Sequence, residues 1–217
     1  MNEVLTKLEQ ADGVATLTLD RAAKRNALSR ALRHELVTRL AELEKDDGVR
    51  AVILTGDGPV FCAGFDRSEF EGGGMAEVFE EALEYHRRVY NFAKPLLAAV
   101  NGAALGGGCD LAAMCDIRLA ASTAIFGQPQ VRFGAAAAYD LMRKVMPTGA
   151  AREMCLTGRS YSAAEAHALG LVNGVHQSDG LMSAARELAA SIAALPETLS
   201  VSTKRQFLTN QPRLFES

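Results

Sequence analysis

The stretch that decides the fold is residues 96–130, LLAAVNGAALGGGCDLAAMCDIRLAASTAIFGQPQ. A short apolar run ends at Asn101, a run of three glycines extends from Gly106 to Gly108, and Asp110 follows in a helix-like segment. This order predicts a strand, a tight turn and the N-terminus of a helix. Glycines at a helix start let a ligand approach unpaired backbone N–H groups, which stabilise negative charge. For the glycines alone, close packing of the helix on the strand is the simpler interpretation.

A second turn of the same kind precedes this stretch. RAVILT at residues 50–55 predicts a buried strand, and VFCAGFD at residues 60–66 ends in small residues, with Asp66 placed to cap a short helix. Turns that follow neighbouring parallel strands lie side by side. We therefore expect two backbone donor sites close together.

The remaining pattern places strands early and helices late. A hairpin is predicted around Asp12-Gly13, Ser29 is a plausible N-cap for a helix, residues 71–74 are predicted to be a mobile loop, and a helix is predicted at 75–93. After residue 134, helices are predicted at 136–146, 148–157, 162–169, 179–194 and 197–209, with a strand at 172–175.

Bulk properties exclude several classes of function. The length of 217 residues suits one domain. A formal net charge of −3 does not indicate a nucleic-acid-binding protein. The apolar runs are too short to cross a membrane, and the first residues lack the pattern of a signal peptide, so we expect a cytoplasmic protein with no membrane partner.

Cysteine and histidine spacing gives no support for a metal site. The four cysteines form no CxxC pair, and the four histidines are scattered singly. No P-loop lysine follows the glycines, Leu111 stands where a dinucleotide fingerprint requires its third glycine, and no GxSxG sequence is present. We therefore predict no metal and no separate cofactor.

Five segments together resemble the crotonase, or enoyl-CoA hydratase/isomerase, superfamily. They are KRNALS at 24–29, VFCAGFD at 60–66, KPLLAAVNGAALGGGCDLAAMCD at 94–116, FGQPQ at 126–130 and LTGRSYSAAEAHALGLVN at 156–173. The resemblance implies an α/β fold, a spiral of ββα units with a C-terminal helical trimerisation region. It divides the single domain of residues 1–217 into a ββα spiral core at 1–134 and a helical region at 135–217 that is short at its C-terminus. It also implies an acyl-CoA thioester substrate, of which coenzyme A is a part, and a homotrimer or homohexamer.

The resemblance also implies roles for individual residues. The thioester carbonyl oxygen is expected between the backbone N–H groups of Phe65 and Gly107, where enolate charge develops. The basic residues Arg21, Lys24 and Arg25 are candidates to meet the phosphates of coenzyme A. Residues implied to line the substrate and coenzyme A pocket are Lys24, Ala27, Leu28, Ala63, Gly64, Asp66 and Gly106.

Two positions depart from the pattern of the hydratases. Hydratases of this family carry two glutamates where this chain has Asp110 and Gln130. Aspartate is shorter by one C–C bond, roughly 1.5 Å, and glutamine neither accepts nor delivers a proton at neutral pH. Asp110 is therefore the best candidate for proton transfer, and we expect slow hydration by a two-glutamate route. Isomerisation, thioester hydrolysis and a catalytically weak acyl-CoA-binding protein are the alternatives.

The segment after Gly134 contains a second candidate acid. Alanines at 135–138 replace a run that is glycine-rich in the family, and Tyr139 and Asp140 follow. Asp140 either supplies a substitute acid or faces solvent, and the sequence favours the solvent-facing interpretation. The position of Tyr139 is open in the same way.

Overall fold

The computed structural model describes residues 4–70 and 75–215, and their strands form two sheets. The strands are β1 (Thr6–Ala11), β2 (Val14–Leu19), β3 (Ala51–Gly56), β4 (Val60–Cys62), β5 (Leu96–Val100), β6 (Ala103–Leu105), β7 (Ile117–Ala121), β8 (Ile125–Gly127), β9 (Ser160–Ser162) and β10 (Gly174–His176). The larger sheet has the order β1-β2-β3-β5-β7-β10, and the smaller has the order β4-β6-β8-β9. The predicted α/β class is confirmed.

Eight α-helices of the described chain surround these sheets. They are α1 (Arg30–Lys45), α2 (Met75–Tyr90), α3 (Gly107–Met114), α4 (Tyr139–Val145), α5 (Thr148–Thr157), α6 (Ala163–Ala168), α7 (Leu181–Ala193) and α8 (Glu197–Asn210). Short 3-10 helices occupy Ala22–Lys24, Arg67–Phe70 and Pro129–Phe133. Ser29 caps α1 as predicted, because its hydroxyl accepts the Leu32 N–H. Of the helices described, none is long and apolar enough to pass through a lipid bilayer.

The central strands of the larger sheet are buried on both faces. β1 and β2 form the predicted antiparallel hairpin, and the other neighbouring strands of this sheet run parallel. Successive side chains of a strand point to opposite faces. Accordingly, Val52 and Leu54 pack in the main core with α1, whereas Ala51 and Ile53 pack against α7. This double covering explains why β3 is apolar throughout.

Several element boundaries were predicted wrongly. β6 lies inside a segment predicted as a turn, and β9 was not predicted at all. Strands of three residues are too short to show the alternation on which a strand prediction depends. The helix predicted at 136–146 begins only at Tyr139, and the strand predicted at 172–175 occupies Gly174–His176.

The residues after 134 complete both sheets as well as supplying helices. β9 pairs antiparallel with β8, and β10 pairs parallel with β7. The loop predicted at 71–74 lies outside the described residues. The smaller sheet matters most for function, because β4 and β6 are parallel neighbours and each ends at a glycine-containing turn.

Candidate active site

A cavity of about 330 Å³ opens where β4 and β6 end. Its walls include Ala63, Gly64 and Phe65 after β4, and Gly106 and Gly107 after β6. Small-molecule sites in proteins occupy about 300–1,000 Å³. The cavity therefore has the size of a ligand site, and both predicted turns form part of it.

The two turns are in direct contact, as the sequence predicted. Strand β4 pairs with β6 through Val60 with Ala103 and Cys62 with Ala104. A Cβ atom added to Gly64 would lie 3.3 Å from the backbone nitrogen of Gly107. Gly64 also has a φ of +96°, a backbone conformation that residues other than glycine rarely adopt. Glycine at this position is required both by the backbone and by the neighbouring turn.

The backbone N–H groups of Phe65 and Gly107 make no hydrogen bond to an acceptor within residues 4–70 and 75–215. The groups on either side of Phe65 are engaged, since Gly64 O accepts from Leu28 N at 2.8 Å and Asp66 N donates to Leu28 O at 3.3 Å. The Phe65 N–H itself makes no such bond in this part of the chain. Gly107 is the first residue of α3, where an N–H has no partner inside the helix. Both groups are therefore available to a ligand.

The Phe65 ring is held from two sides. A Cβ atom at Gly107 would lie 2.7 Å from this ring, so the ring occupies the space that any other residue at 107 would need. On another side, the guanidinium carbon of Arg33 lies 5.1 Å from the ring centroid. Arg33 is fully buried, donates to Leu28 O at 2.7 Å, and pairs with Glu69 and Glu81. Arg33 thus joins the elements that carry the Phe65 turn.

Asp110 is the only carboxylate that lines the cavity in the described chain. It lies in the first turn of α3 and is buried, with 6% of its surface exposed. Burial raises the pKa of Asp110 to about 7, although a hydrogen bond from Gln128 opposes the shift. A carboxyl group with a pKa near neutrality can take up and release a proton at physiological pH.

Two glutamines form a hydrogen-bonded series that leads from Asp110 to a second polar side chain of the cavity lining. Gln128 Nε2 donates to Asp110 Oδ1 at 2.7 Å, and Gln130 Nε2 donates to Gln128 Oε1. Gln128 is fully buried, whereas Gln130 lines the cavity. Gln130 Oε1 is buried and has no hydrogen-bond partner among the described residues. This oxygen can accept a hydrogen bond from a ligand but cannot transfer a proton.

The candidate acid at Asp140 is not brought to the cavity. Alanines 135–138 line the cavity, but the Asp140 side chain is 68% exposed and pairs with Arg143 at 2.9 Å. Tyr139 packs against the main core, and its hydroxyl accepts a bond from Arg152. The structure thus places Asp140 in solvent and Tyr139 away from the cavity lining.

The residues expected to line the pocket fall into two groups. Ala63, Gly64 and Gly106 line the cavity directly. The segment that contains Ala27 and Leu28 packs against the Phe65 turn but does not reach the cavity wall, since Leu28 is fully buried. These residues support the turn rather than touch the cavity.

The basic residues near this segment have different surroundings. Arg21 pairs with Asp66 at 2.6 Å, so its charge is already balanced. Lys24 and Arg25 are exposed and have no acidic partner within the described ranges. They are the cations of this segment that an anionic ligand can still meet.

Sequence reasoning missed three contributors to the site. Gln128 was within a quoted motif but received no role, although its place just after a strand brings it beside Asp110. His86 was interpreted as one of several scattered histidines, and Phe215 was not considered. Both line the cavity, and their rings stack with centroids 5.1 Å apart. No motif signals these two residues, because they come from elements distant from the glycine turns.

The described chain offers no metal site. Across residues 4–70 and 75–215, no three histidine, cysteine, aspartate or glutamate side chains lie together in a way that could hold an ion.

Comparisons with known proteins find relatives that match most of this chain. A family model described as enoyl-CoA hydratase/isomerase matches residues 9–213. A short-chain-enoyl-CoA hydratase of Clostridium acetobutylicum is 38% identical, over 89% of this chain and 76% of that protein. A 4-chlorobenzoyl coenzyme A dehalogenase of an Arthrobacter species is 36% identical, over 97% and 80%. The crystal structure of human enoyl coenzyme A hydratase domain-containing protein 3 superimposes with a TM-score of 0.90 at 30% identity, covering 97% of this chain and 86% of the other.

Proposed function

The chain belongs to the enoyl-CoA hydratase/isomerase family and is an acyl-CoA-transforming enzyme, and we propose that it works by forming a thioester enolate with Asp110 as its proton carrier. The observation that carries this proposal is the pair of unpartnered N–H groups at Phe65 and Gly107 beside a buried carboxyl group. The acyl group of the thioester occupies the cavity.

The two N–H groups form the oxyanion hole in this proposal. They hold the thioester carbonyl oxygen, on which negative charge grows as the enolate forms. Fixed donors aimed at a developing charge need no reorganisation during the reaction. One such donor lowers the activation free energy by about 3 kcal/mol. The contact between the Gly64 turn and the Gly107 nitrogen supports this role, because it keeps the donors together.

Asp110 moves the proton. Its carboxylate takes a proton from the carbon next to the thioester carbonyl, the C–H electron pair becomes the enolate double bond, and the carbonyl electrons move to oxygen. The protonated Asp110 then returns the proton to carbon. A pKa of about 7 supports both steps, because neither form of the group is strongly disfavoured at neutral pH.

The surroundings of Asp110 favour proton transfer at carbon over addition of water. Hydration by two acid–base groups needs a second carboxylate, and the corresponding side chain here is the amide of Gln130. A reaction that shuttles one proton, as in isomerisation of a double bond, needs Asp110 alone. We therefore place proton transfer next to the carbonyl as the central step and expect slow hydration.

Binding measurements test the proposal at its first step. Calorimetry with butyryl-CoA, free coenzyme A and butyrate compares the thioester with its two halves. We expect butyryl-CoA to bind at least about tenfold more tightly than coenzyme A, a difference of 1.4 kcal/mol, because the carbonyl and nucleotide parts act together. Equal affinities, or no binding by folded protein, would contradict the proposal.

The proposed assembly is a trimer or hexamer. Apolar side chains are exposed on the C-terminal helices and the turn between two of them, with Leu156 81% exposed and Leu195, Leu199 and Phe207 about half exposed. Burying such side chains between subunits supports a symmetric oligomer. Light scattering at micromolar concentration gives the mass, and a stable monomer would contradict this assembly.

The proposed compartment is the cytoplasm. Its support is that the four cysteines are free thiols, as is usual in a reducing compartment. Fractionation of cells that express the tagged protein tests it, and recovery outside the cytoplasm would contradict it.

A further inference from the structure

Many of the aromatic side chains of this chain line the cavity. The sequence has no tryptophan and nine phenylalanines. Five of the nine line the cavity: Phe65, Phe70, Phe79, Phe133 and Phe215. Most other lining residues near them are alanine and glycine, which present little side-chain surface. The aromatic rings therefore form a large part of the apolar surface that an acyl group meets.

Five of the lining rings contact one another in a continuous series, which we call the aromatic wall: Phe70, Phe79, Phe65, His86 and Phe215. Phe70 and Phe79 have centroids 5.8 Å apart, and Phe79 meets Phe65 edge-on at 5.6 Å. Phe65 and His86 are 5.8 Å apart, and His86 stacks on Phe215 at 5.1 Å with an interplanar angle of 15°. Phe65 is the middle member of the wall, and it is also the residue whose N–H faces the thioester carbonyl in the proposed function.

His86 adds one polar atom to this wall. Its Nδ1 lies 2.9 Å from Ala82 O, and because a carbonyl oxygen only accepts, Nδ1 is the protonated nitrogen. Burial lowers the pKa of His86 to about 4, so the ring is neutral at pH 7. Nε2 then carries a lone pair, and it has no hydrogen-bond partner in the described part of the chain. A neutral acceptor thus stands among apolar rings.

We infer that the acyl group this enzyme takes is a hydroxylated aromatic ring, held by the aromatic wall and donating its hydroxyl hydrogen to His86 Nε2. The inference rests on the proposed acyl-CoA function and adds the class of acyl group. Aromatic rings prefer offset-stacked or edge-to-face neighbours, and a saturated ring of equal size lacks the charge distribution that produces this preference. A hydroxyl group on the acyl ring can donate a hydrogen bond to His86 Nε2, the unpaired acceptor of the wall. An unsubstituted ring leaves this nitrogen unpaired.

The first test isolates the aromatic character of the acyl group. Phenylacetyl-CoA and cyclohexylacetyl-CoA have the same carbon skeleton and differ only in the saturation of the ring. We expect calorimetry to show phenylacetyl-CoA binding about three to ten times more tightly, the factor to which one ring–ring pair corresponds. A ratio of one or less would overturn the inference.

Two exposed residues of the cavity lining, of which only Phe79 belongs to the aromatic wall, give a matched pair of variants. Phe79→Leu removes a ring but retains an apolar side chain, so the phenyl-to-cyclohexyl ratio should fall toward one. Leu83→Ala removes a lining side chain that has no ring, so both ligands weaken together and the ratio stays as in the natural protein. Phe79 and Leu83 are 37% and 42% exposed, which favours folded variants. A ratio unchanged in Phe79→Leu would overturn the role of the wall.

The second test isolates the histidine acceptor. The 2-, 3- and 4-hydroxyphenylacetyl-CoA isomers are compared with phenylacetyl-CoA, and at least one isomer should bind about two- to tenfold more tightly, as expected for one net hydrogen bond. His86→Phe retains a ring but has no acceptor, so this gain should disappear while the phenyl-to-cyclohexyl ratio persists. If no isomer gains affinity, or if the gain survives in His86→Phe, the inference is wrong.

These results separate the inference from the proposed function. Tight binding of cyclohexylacetyl-CoA and butyryl-CoA without any aromatic preference would leave the acyl-CoA function standing and overturn only the aromatic class. Failure of every acyl-CoA to bind the folded protein would overturn the proposed function and, with it, the inference.

Discussion

Gln128 donates a 2.7 Å hydrogen bond through Nε2 to Oδ1 of Asp110, and both side chains are buried. This bond favours the ionised form of Asp110, while burial favours the protonated form. The balance between them sets the pKa of the carboxyl group at about 7.

Replacing Gln128 with leucine should raise the pKa of Asp110 further. The variant removes a donor to the carboxylate and retains the burial that opposes charge. A hydrogen bond to a charged group contributes about 1.5–3 kcal/mol, which corresponds to roughly one to two pKa units. The pH profile of acyl-CoA turnover should therefore show its lower midpoint moving upward by that amount. A midpoint that stays in place would show that Gln128 does not control the charge of Asp110.

Replacing Gly107 tests the backbone donor. Gly107→Pro removes the N–H, but any residue with a Cβ also meets the Phe65 ring. Gly107→Ala makes the same contact and retains the N–H, so it is the matched control. We expect the proline variant to turn over about 10² to 10³ times more slowly than the alanine variant, as for loss of one oxyanion donor. Equal rates would mean that the Gly107 N–H does not hold the substrate oxygen.

Arg33 should be important for stability. Its guanidinium is fully buried and pairs with Glu69 and Glu81, so Arg33→Met removes the buried positive charge that these two partly buried carboxylates face. Breaking a buried ion pair costs about 3–5 kcal/mol, whereas the exposed pair of Arg39 and Glu42 should contribute under about 1 kcal/mol. Urea unfolding of Arg33→Met and Arg39→Met measures both. Similar losses in the two variants would contradict this view of Arg33.

Much of the fold was predictable because long elements repeat their apolar pattern. The hairpin, α1, β3, β5 and the helix after the glycines all have enough residues for the pattern to show. β6 and β9 have three residues each, and only their neighbours in the smaller sheet define them.

The site was predictable only in part, for a related reason. Phe65, Gly107, Asp110 and Gln130 lie in motifs of contiguous residues, and all four line the cavity. His86 and Phe215 come together from α2 and the last described residues, and a contact between such distant segments leaves no local pattern in the sequence. Asp140 shows the opposite case. It follows the lining residues 135–138 closely in sequence, yet its side chain pairs with Arg143 and does not line the cavity.

Introducing a second carboxylate at position 130 should raise the rate of hydration. General acid–base groups contribute about 10²- to 10⁴-fold, so Gln130→Glu, alone or with Asp110→Glu, should speed the hydration of crotonyl-CoA from a low starting rate. The loss of the enoyl absorbance follows the reaction. Gln130→Met, which restores no acid, is the control. If the double variant binds acyl-CoA but hydrates no faster than the control, the site does not have the geometry of a hydratase.

The measurement that tests the central claim most directly is exchange of the α-protons of butyryl-CoA in D₂O. This exchange needs only an enolate and a proton carrier, so it does not depend on which overall reaction the enzyme catalyses. We predict that the natural protein exchanges these protons and that Asp110→Asn, which cannot accept a proton, exchanges them at least about 10²-fold more slowly while still binding butyryl-CoA. Exchange at the natural rate in Asp110→Asn, or no exchange by natural protein that binds butyryl-CoA, would contradict the account.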